Sequence, residues 1–145
     1  MKIGFTGTQE GMTKSQRQRM VRFLELTLID HTIEFGLHGD CEGADFQFDR
    51  DCFRQSIPVT VYPPENPNKR AFCENYHSIK EPKPYLDRNH DIVNDSNIMI
   101  ACPKEFDEQL RSGTWATIRY ARKQNKPLII FYPDGSVSKE NWNEI

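Results

Sequence analysis

Ile98-Met99-Ile100-Ala101-Cys102, followed after a charged insert by Ser112-Gly113-Thr114-Trp115-Ala116-Thr117-Ile118-Arg119-Tyr120-Ala121, is the stretch that decides the fold. The first segment is a continuous apolar run of strand length, and the second opens a helix on a small, glycine-centred turn. Such a start leaves the first backbone N–H groups unpaired and converging on one point, which favours an anion such as phosphate. A nucleotide-like ligand is the expectation it raises.

Outward from that unit, further apolar runs alternate with helical segments, the pattern of parallel strands joined by right-handed crossovers. Residues 2–5 read as the first strand, ending at Thr6-Gly7-Thr8. Thr13 then reads as the N-cap of a long helix to about Ile29, with Met20, Val21, Leu24 and Leu28 on its buried stripe. A second strand at 32–37 stops at His38-Gly39-Asp40, and Glu42-Gly43-Ala44-Asp45 leads into a second helix. Residues 59–62 form a third strand, broken by Pro63-Pro64. The polar, proline-punctuated stretch to Pro84 is longer than an ordinary connection and suits a lid or ligand wall. A short helix over 85–95 precedes the fourth strand at 97–101, and 127–132 supplies a fifth.

The expected fold class is therefore α/β, a three-layer Rossmann-like sandwich whose mainly parallel sheet of about five strands is flanked by helices. At 145 residues the chain is expected to form a single domain over 1–145, with a peripheral C-terminal tail from about Pro133. Apolar residues make up 37% and charged residues 28%, enough for a sizeable core and with no charge block that reads as disordered. A net charge of −2 argues against a broad nucleic-acid surface, which needs excess Lys and Arg to displace counterions. No run approaches the roughly 18 apolar residues of a membrane span, and the N-terminus lacks a signal-peptide core, so a cytoplasmic protein is expected. Cys41, Cys52, Cys73 and Cys102 have no C-x-x-C spacing and read as reduced structural thiols. Neither they nor His31, His77 and His90 suggest a metal site, and no motif implies a cofactor.

In an open parallel sheet the ligand site lies beyond the carboxyl ends of the strands, where strand order reverses. Three such ends carry small or polar residues: Thr6-Gly7-Thr8, His38-Gly39-Asp40 with Gly43-Ala44-Asp45, and Ser112-Gly113-Thr114. They are expected to converge on one crevice. Its glycines permit close approach of backbone to ligand, and Thr8, Ser112 and Thr114 offer hydroxyls to phosphate or ribose. None matches G-x-G-x-x-G or the Walker pattern, which disfavours a standard dehydrogenase or nucleotide triphosphatase.

His38 and Asp45 are the acid/base candidates of the second turn, or else they cap the strand and the following helix. Arg88, with Asn89 beside it, suits bidentate phosphate binding or else pairs with Asp87 or Asp91. Trp115 is open to two readings, stacking on a ring or packing in the core. Arg119 follows it by one helical turn and either contacts an anion or lies on a solvated face.

In the order of these pieces the chain resembles the SLOG superfamily, which includes the DprA DNA-processing proteins and the LOG phosphoribohydrolases. The matching elements are Gly4-Phe5-Thr6-Gly7-Thr8, the His38-Gly39-Asp40-x-x-Gly43-Ala44-Asp45 turn, Arg88-Asn89 before residues 95–101, and Ser112-Gly113-Thr114-Trp115 with Ala121. The resemblance is to its small single-domain members. It implies nucleotide binding across the strand ends by a homo-oligomer, a dimer or a tetramer. In the phosphoribohydrolase branch an arginine before the fourth strand works with a glutamate three residues after the threonine of the glycine turn. Arg88 falls at the arginine position, but Thr117 stands where the glutamate belongs. Threonine cannot replace an ionised carboxylate in stabilising an oxocarbenium-like centre or activating water. The pattern therefore fits a binder, a sensor or sequestering protein for a nucleotide or nucleotide derivative. The alternative is a hydrolase of an N-glycosidic or phosphoribosyl bond that uses Arg88 and another carboxylate, Asp45 foremost. A DprA-like role on single-stranded DNA ranks last on charge.

Overall fold

The computed structural model describes residues 1–142. Its strands are β1 (Lys2–Gly7), β2 (Phe35–His38), β3 (Val59–Val61), β4 (Ser78–Ile79), β5 (Ile98–Cys102), β6 (Leu128–Phe131) and β7 (Val137–Glu140). The helices are α1 (Lys14–Asp30), α2 (Ala44–Arg54), α3 (Tyr85–Asp95) and α4 (Gly113–Lys123). All seven strands form one sheet in the order β4-β3-β2-β1-β5-β6-β7, parallel except for β7. This is the expected three-layer α/β architecture, with two strands more than the five read from the apolar runs.

Both additions sit at sheet edges and escape a hydrophobic scan for that reason. β4 is two residues long and half exposed. β7, Val-Ser-Lys-Glu, turns the tail back antiparallel onto β6, and its charged residues suit an edge that must resist further pairing. By contrast β5 is buried along its whole length, as a central parallel strand covered on both faces has to be.

Two cores lie on the two faces of the sheet. One gathers Met20 and Leu24 of α1 and Phe48 of α2 against Ile3 and Phe5, with the Phe5 and Phe48 rings stacked at 4.4 Å. The other packs Ile92 and Val93 of α3 and Trp115 and Ile118 of α4 against Met99, Ala101 and Ile130. α1 begins where the sequence placed it. The Thr13 hydroxyl accepts from the Gln16 amide, and the Gln16 side chain accepts from the Thr13 amide, a capping box. Gln16 is itself buried and donates through Nε2 to Pro103 O at 2.8 Å and Phe131 O at 2.7 Å, tying α1 to the ends of β5 and β6.

From β1 the chain steps through β2, β3 and β4 on one side, then crosses to β5 on the other. Strand order thus reverses between β1 and β5, and a crevice opens beyond their carboxyl ends.

Candidate functional site

That crevice is a cavity of about 390 Å³. Its floor is the β1 turn, residues 7–10. Lys104 and Glu105 form one wall, residues 111–114 another, and Tyr85 closes the side towards α3. Ser112 caps α4 by accepting from the Trp115 amide at 3.1 Å. Among the described residues the Gly113 and Thr114 amides have no acceptor, so they are available to an anion. Lys104 and Arg111 add positive charge, and Glu10 pairs with Lys104.

Of the expected site residues, Gly7, Thr8, Ser112, Gly113 and Thr114 line this cavity. Thr6, Gly39, Asp45, Arg88 and Asn89 surround a second space of about 20 Å³, which shares Gly7, Gln9 and Tyr85 with the crevice. That volume admits about one water molecule. The two groups of residues are therefore neighbours, separated by Tyr85 and Gln9.

Arg88 is 3% exposed and carries no ion pair among the described residues. Asp91 pairs with Lys83 instead. The Arg88 guanidinium donates to the Gly39 carbonyl, to Tyr62 O at 3.0 Å and to the Cys41 sulfur at 3.2 Å. It lies 4.8 Å from the centre of the Tyr85 ring. Its Nε has no hydrogen-bond partner among the described residues, an unusual state for a buried cationic group. Asp45 accepts from the Cys41 amide at 3.2 Å. Burial pushes its carboxyl above the ordinary value, against the opposing pull of the neighbouring His38 and Arg88.

The remaining candidates hold the scaffold together. His38 is fully buried and both ring nitrogens are engaged. Nδ1 accepts from the Asp40 amide at 2.9 Å, so the ring proton sits on Nε2 and is donated to Asp49 at 2.8 Å. Cys73 lies close to this pair, but with its proton on Nε2 the imidazole has no lone pair to give a metal there. Asp40, also fully buried, accepts from Arg70 Nε at 2.7 Å and from the Cys73 amide at 2.9 Å. It anchors the long loop after β3. Neither residue reaches the crevice.

Gly43, with φ +81°, holds a conformation open to glycine and brings the turn against the Gln9 backbone; Ala44 packs against Gly7. Trp115 is buried and donates from Nε1 to Glu105 at 3.1 Å, so its ring belongs to the core. Arg119 donates to Glu108 at 2.7 Å and to the Gln109 and Leu110 carbonyls, bracing the charged insert. The Thr117 hydroxyl bonds back to Gly113 O at 3.0 Å.

Tyr85, Gln9 and Glu10 were not among the residues expected here. Tyr85 precedes Arg88 by three positions, one helical turn, and that spacing is the signal that puts an aromatic ring beside the guanidinium. Gln9 and Glu10 carry no pattern beyond their place after a strand.

The fold and the crevice define an α/β protein of Rossmann-like architecture with a preformed polar cavity at the strand-order reversal. Among solved structures it is similar to the molybdenum cofactor binding protein of the phototrophic bacterium Rippkaea orientalis. The TM-score is 0.68 and the identity 20%, over 90% of this chain and 76% of that one. It is also similar to the X-ray structure of TM1055, with a TM-score of 0.63 and 12% identity over 88% of this chain and 71% of that one. No protein-family model matches the sequence, and no curated protein matches it. At these identities the likeness establishes the fold. Among the described residues no helix is long and apolar enough to cross a membrane.

Proposed function

We propose that this chain is a SLOG-like protein that binds a nucleotide or nucleotide-derived small molecule in the β1/β5 crevice, as a sensor or sequestering protein. The observation that carries this reading is the convergence there of the open Gly113 and Thr114 amides with Lys104 and Arg111 around one cavity. Together they suit a phosphate ester. Arg88, lacking a counter-ion one layer below, adds to the positive potential. The solved neighbour that binds a molybdenum cofactor supports small-molecule binding at this fold. In this reading the chain acts as one cytoplasmic domain assembled as a homo-oligomer, with no nucleic-acid partner.

Calorimetric titration of a nucleotide panel, followed by chromatography of the recovered ligand, tests it. Saturable binding that needs the phosphate, with ligand returned unchanged, is the expected result. Absence of binding across the panel would overturn it.

One observation favours a second reading, hydrolysis of an N-glycosidic or phosphoribosyl bond. The desolvated Asp45 carboxyl borders the water-sized space beneath the crevice and has no basic side chain within ion-pairing distance among the described residues. A carboxyl so placed is poised for proton transfer at a higher pH than an exposed one. Release of free base by the wild type, abolished in Asp45→Asn, would promote this reading over the first.

A further inference from the structure

A third cavity, of about 330 Å³, lies on the far side of Tyr85 and Gln9, which also line the crevice. Its character differs. The crevice presents backbone amides and four charged side chains, Glu10, Lys104, Glu105 and Arg111, whereas this space is faced by Pro64, Pro84, Tyr85 and Cys41, with the exposed Glu65, Asn66, Asn68 and Lys69 along its margin. Flat apolar walls with a few amide groups are what a heteroaromatic ring needs, since the rings stack on the faces and the amides offer both donors and acceptors to its edge.

The wall is built in advance. The two ends of the segment between β3 and α3 are tied together by the Glu65 amide donating to Lys83 O at 2.9 Å. The segment is pinned to the turn after β2 by the Glu42 amide donating to Lys69 O at 2.8 Å and the Ala71 amide donating to Asp40 O at 2.7 Å. Within it the Asn66 side chain accepts from the Asn68 amide at 3.0 Å, which leaves the Asn66 amide NH₂ and the whole Asn68 side chain without partners among the described residues. Tyr85 spans the boundary. Its hydroxyl abuts Gly113 at the anion site, and the residue also lines the third cavity.

We infer that the two cavities are the two halves of one site, the crevice taking the phosphate and the Pro64–Pro84–Tyr85 cavity taking a planar base. The ligand is then a nucleotide, rather than a sugar phosphate or a free nucleoside. This rests on the proposed function and adds to it the location of the base and the side chains that select it.

The test is calorimetry with AMP, GMP and ribose 5-phosphate on the wild type, Asn68→Trp and Asn68→Ala. Asn68 is exposed, so both variants leave the core intact, and thermal melting checks that they fold. The wild type is expected to bind at least one nucleotide about tenfold or more tighter than ribose 5-phosphate, the scale of one stacked base. Asn68→Trp fills the cavity and brings nucleotide affinity down to that of ribose 5-phosphate, which is itself unchanged. Asn68→Ala alters the ratio of AMP to GMP affinity and again spares ribose 5-phosphate. Equal binding of all three probes by the wild type, or equal weakening of all three by the substitutions, would overturn this inference while leaving phosphate binding in place. Failure of all three probes to bind would remove it together with the reading beneath it.

Discussion

Replacing Arg88 with methionine separates what its guanidinium does for the fold from what it does for a ligand. Methionine keeps most of the length and apolar stem but removes the donors to the Gly39 and Tyr62 carbonyls. A buried carbonyl left without a donor costs about 1–3 kcal/mol, so the two together cost roughly 2–6 kcal/mol. Part of that is returned because the variant no longer buries a cation lacking a contact carboxylate, and such burial costs several kcal/mol. A net destabilisation of about 2–3 kcal/mol is expected. With a urea slope of about 2 kcal/mol/M the midpoint falls by roughly 1–1.5 M.

The same substitution removes one of the groups that oppose the upward shift of Asp45, leaving His38 and the Cys41 amide. Asp45→Asn should therefore rescue part of the loss at neutral pH. The two groups lie beyond ion-pair contact, so the coupling is below the roughly 4 kcal/mol of a pair at 4 Å in a medium of effective dielectric about 20. About 1–2 kcal/mol is expected from a double-mutant cycle followed by urea unfolding at pH 7. The deficit of Arg88→Met should also shrink as the pH falls, because protonation of the folded Asp45 carboxyl removes the negative charge that Arg88 balances. An Arg88→Met protein within 0.5 kcal/mol of wild type, or a strictly additive double variant, would refute this account of the buried guanidinium.

Asp45→Asn by itself should flatten the pH dependence of stability. The folded carboxyl titrates above 3.8, its ordinary value, so the unfolded chain loses the proton first and wild-type stability falls as pH rises through that region. Urea midpoints at pH 4–8 would show the slope in wild type and its loss in the variant; superimposable profiles would contradict the assignment. Gln16→Leu should cost about 2–4 kcal/mol, because it strips the donor from the Pro103 and Phe131 carbonyls and breaks the α1 cap. A thermal melt unchanged to within a degree would count against that linkage. All four thiols are buried, and burial with the neighbouring Asp45 charge pushes Cys41 up to about 11. Against its ordinary value of 9.0 that is about 100-fold less thiolate, so iodoacetamide at pH 8 should label the native protein slowly and the urea-unfolded chain rapidly at four positions.

How much of this was legible beforehand depended on whether the determinant was local. α1 and α3 were, because Thr13 marks an N-cap by its residue type and a proline-punctuated stretch ending at Pro84 gives way to a helical pattern from Tyr85. The central strands were too, since burial on both faces demands unbroken apolar runs such as residues 98–102. β4 and β7 were not, because an edge strand is defined by the neighbour it pairs with, and half of its side chains face water. The glycine turns mark the β1 end and the start of α4, which line one cavity, yet they did not tell which polar groups would be free there. His38 and Asp40 look like site residues in sequence because they stand at the carboxyl end of a parallel strand, where ligands bind, and histidine can exchange a proton near neutral pH. Their partners, Asp49 on α2 and Arg70 in the long loop, are 11 and 30 residues away and consume them entirely.

Arg88 shows the opposite case and bears most on function. Its sequence neighbourhood, Asp87-Arg88-Asn89-His90-Asp91, offers two carboxylates within reach along the helix, which would ordinarily make it a surface ion pair. α3 instead turns Arg88 inward beneath the sheet's carboxyl edge, where carbonyl oxygens and a thiol replace carboxylates as its acceptors. Carbonyl dipoles stabilise a guanidinium without neutralising it, so the positive charge stays available to the space above. A scaffold residue would be served better by a carboxylate in contact, since a buried cation without one is costly. Retaining the net charge one side-chain layer below the open Gly113 and Thr114 amides makes physical sense in the proposed reading, where an anion completes the balance across Tyr85, which lines both spaces.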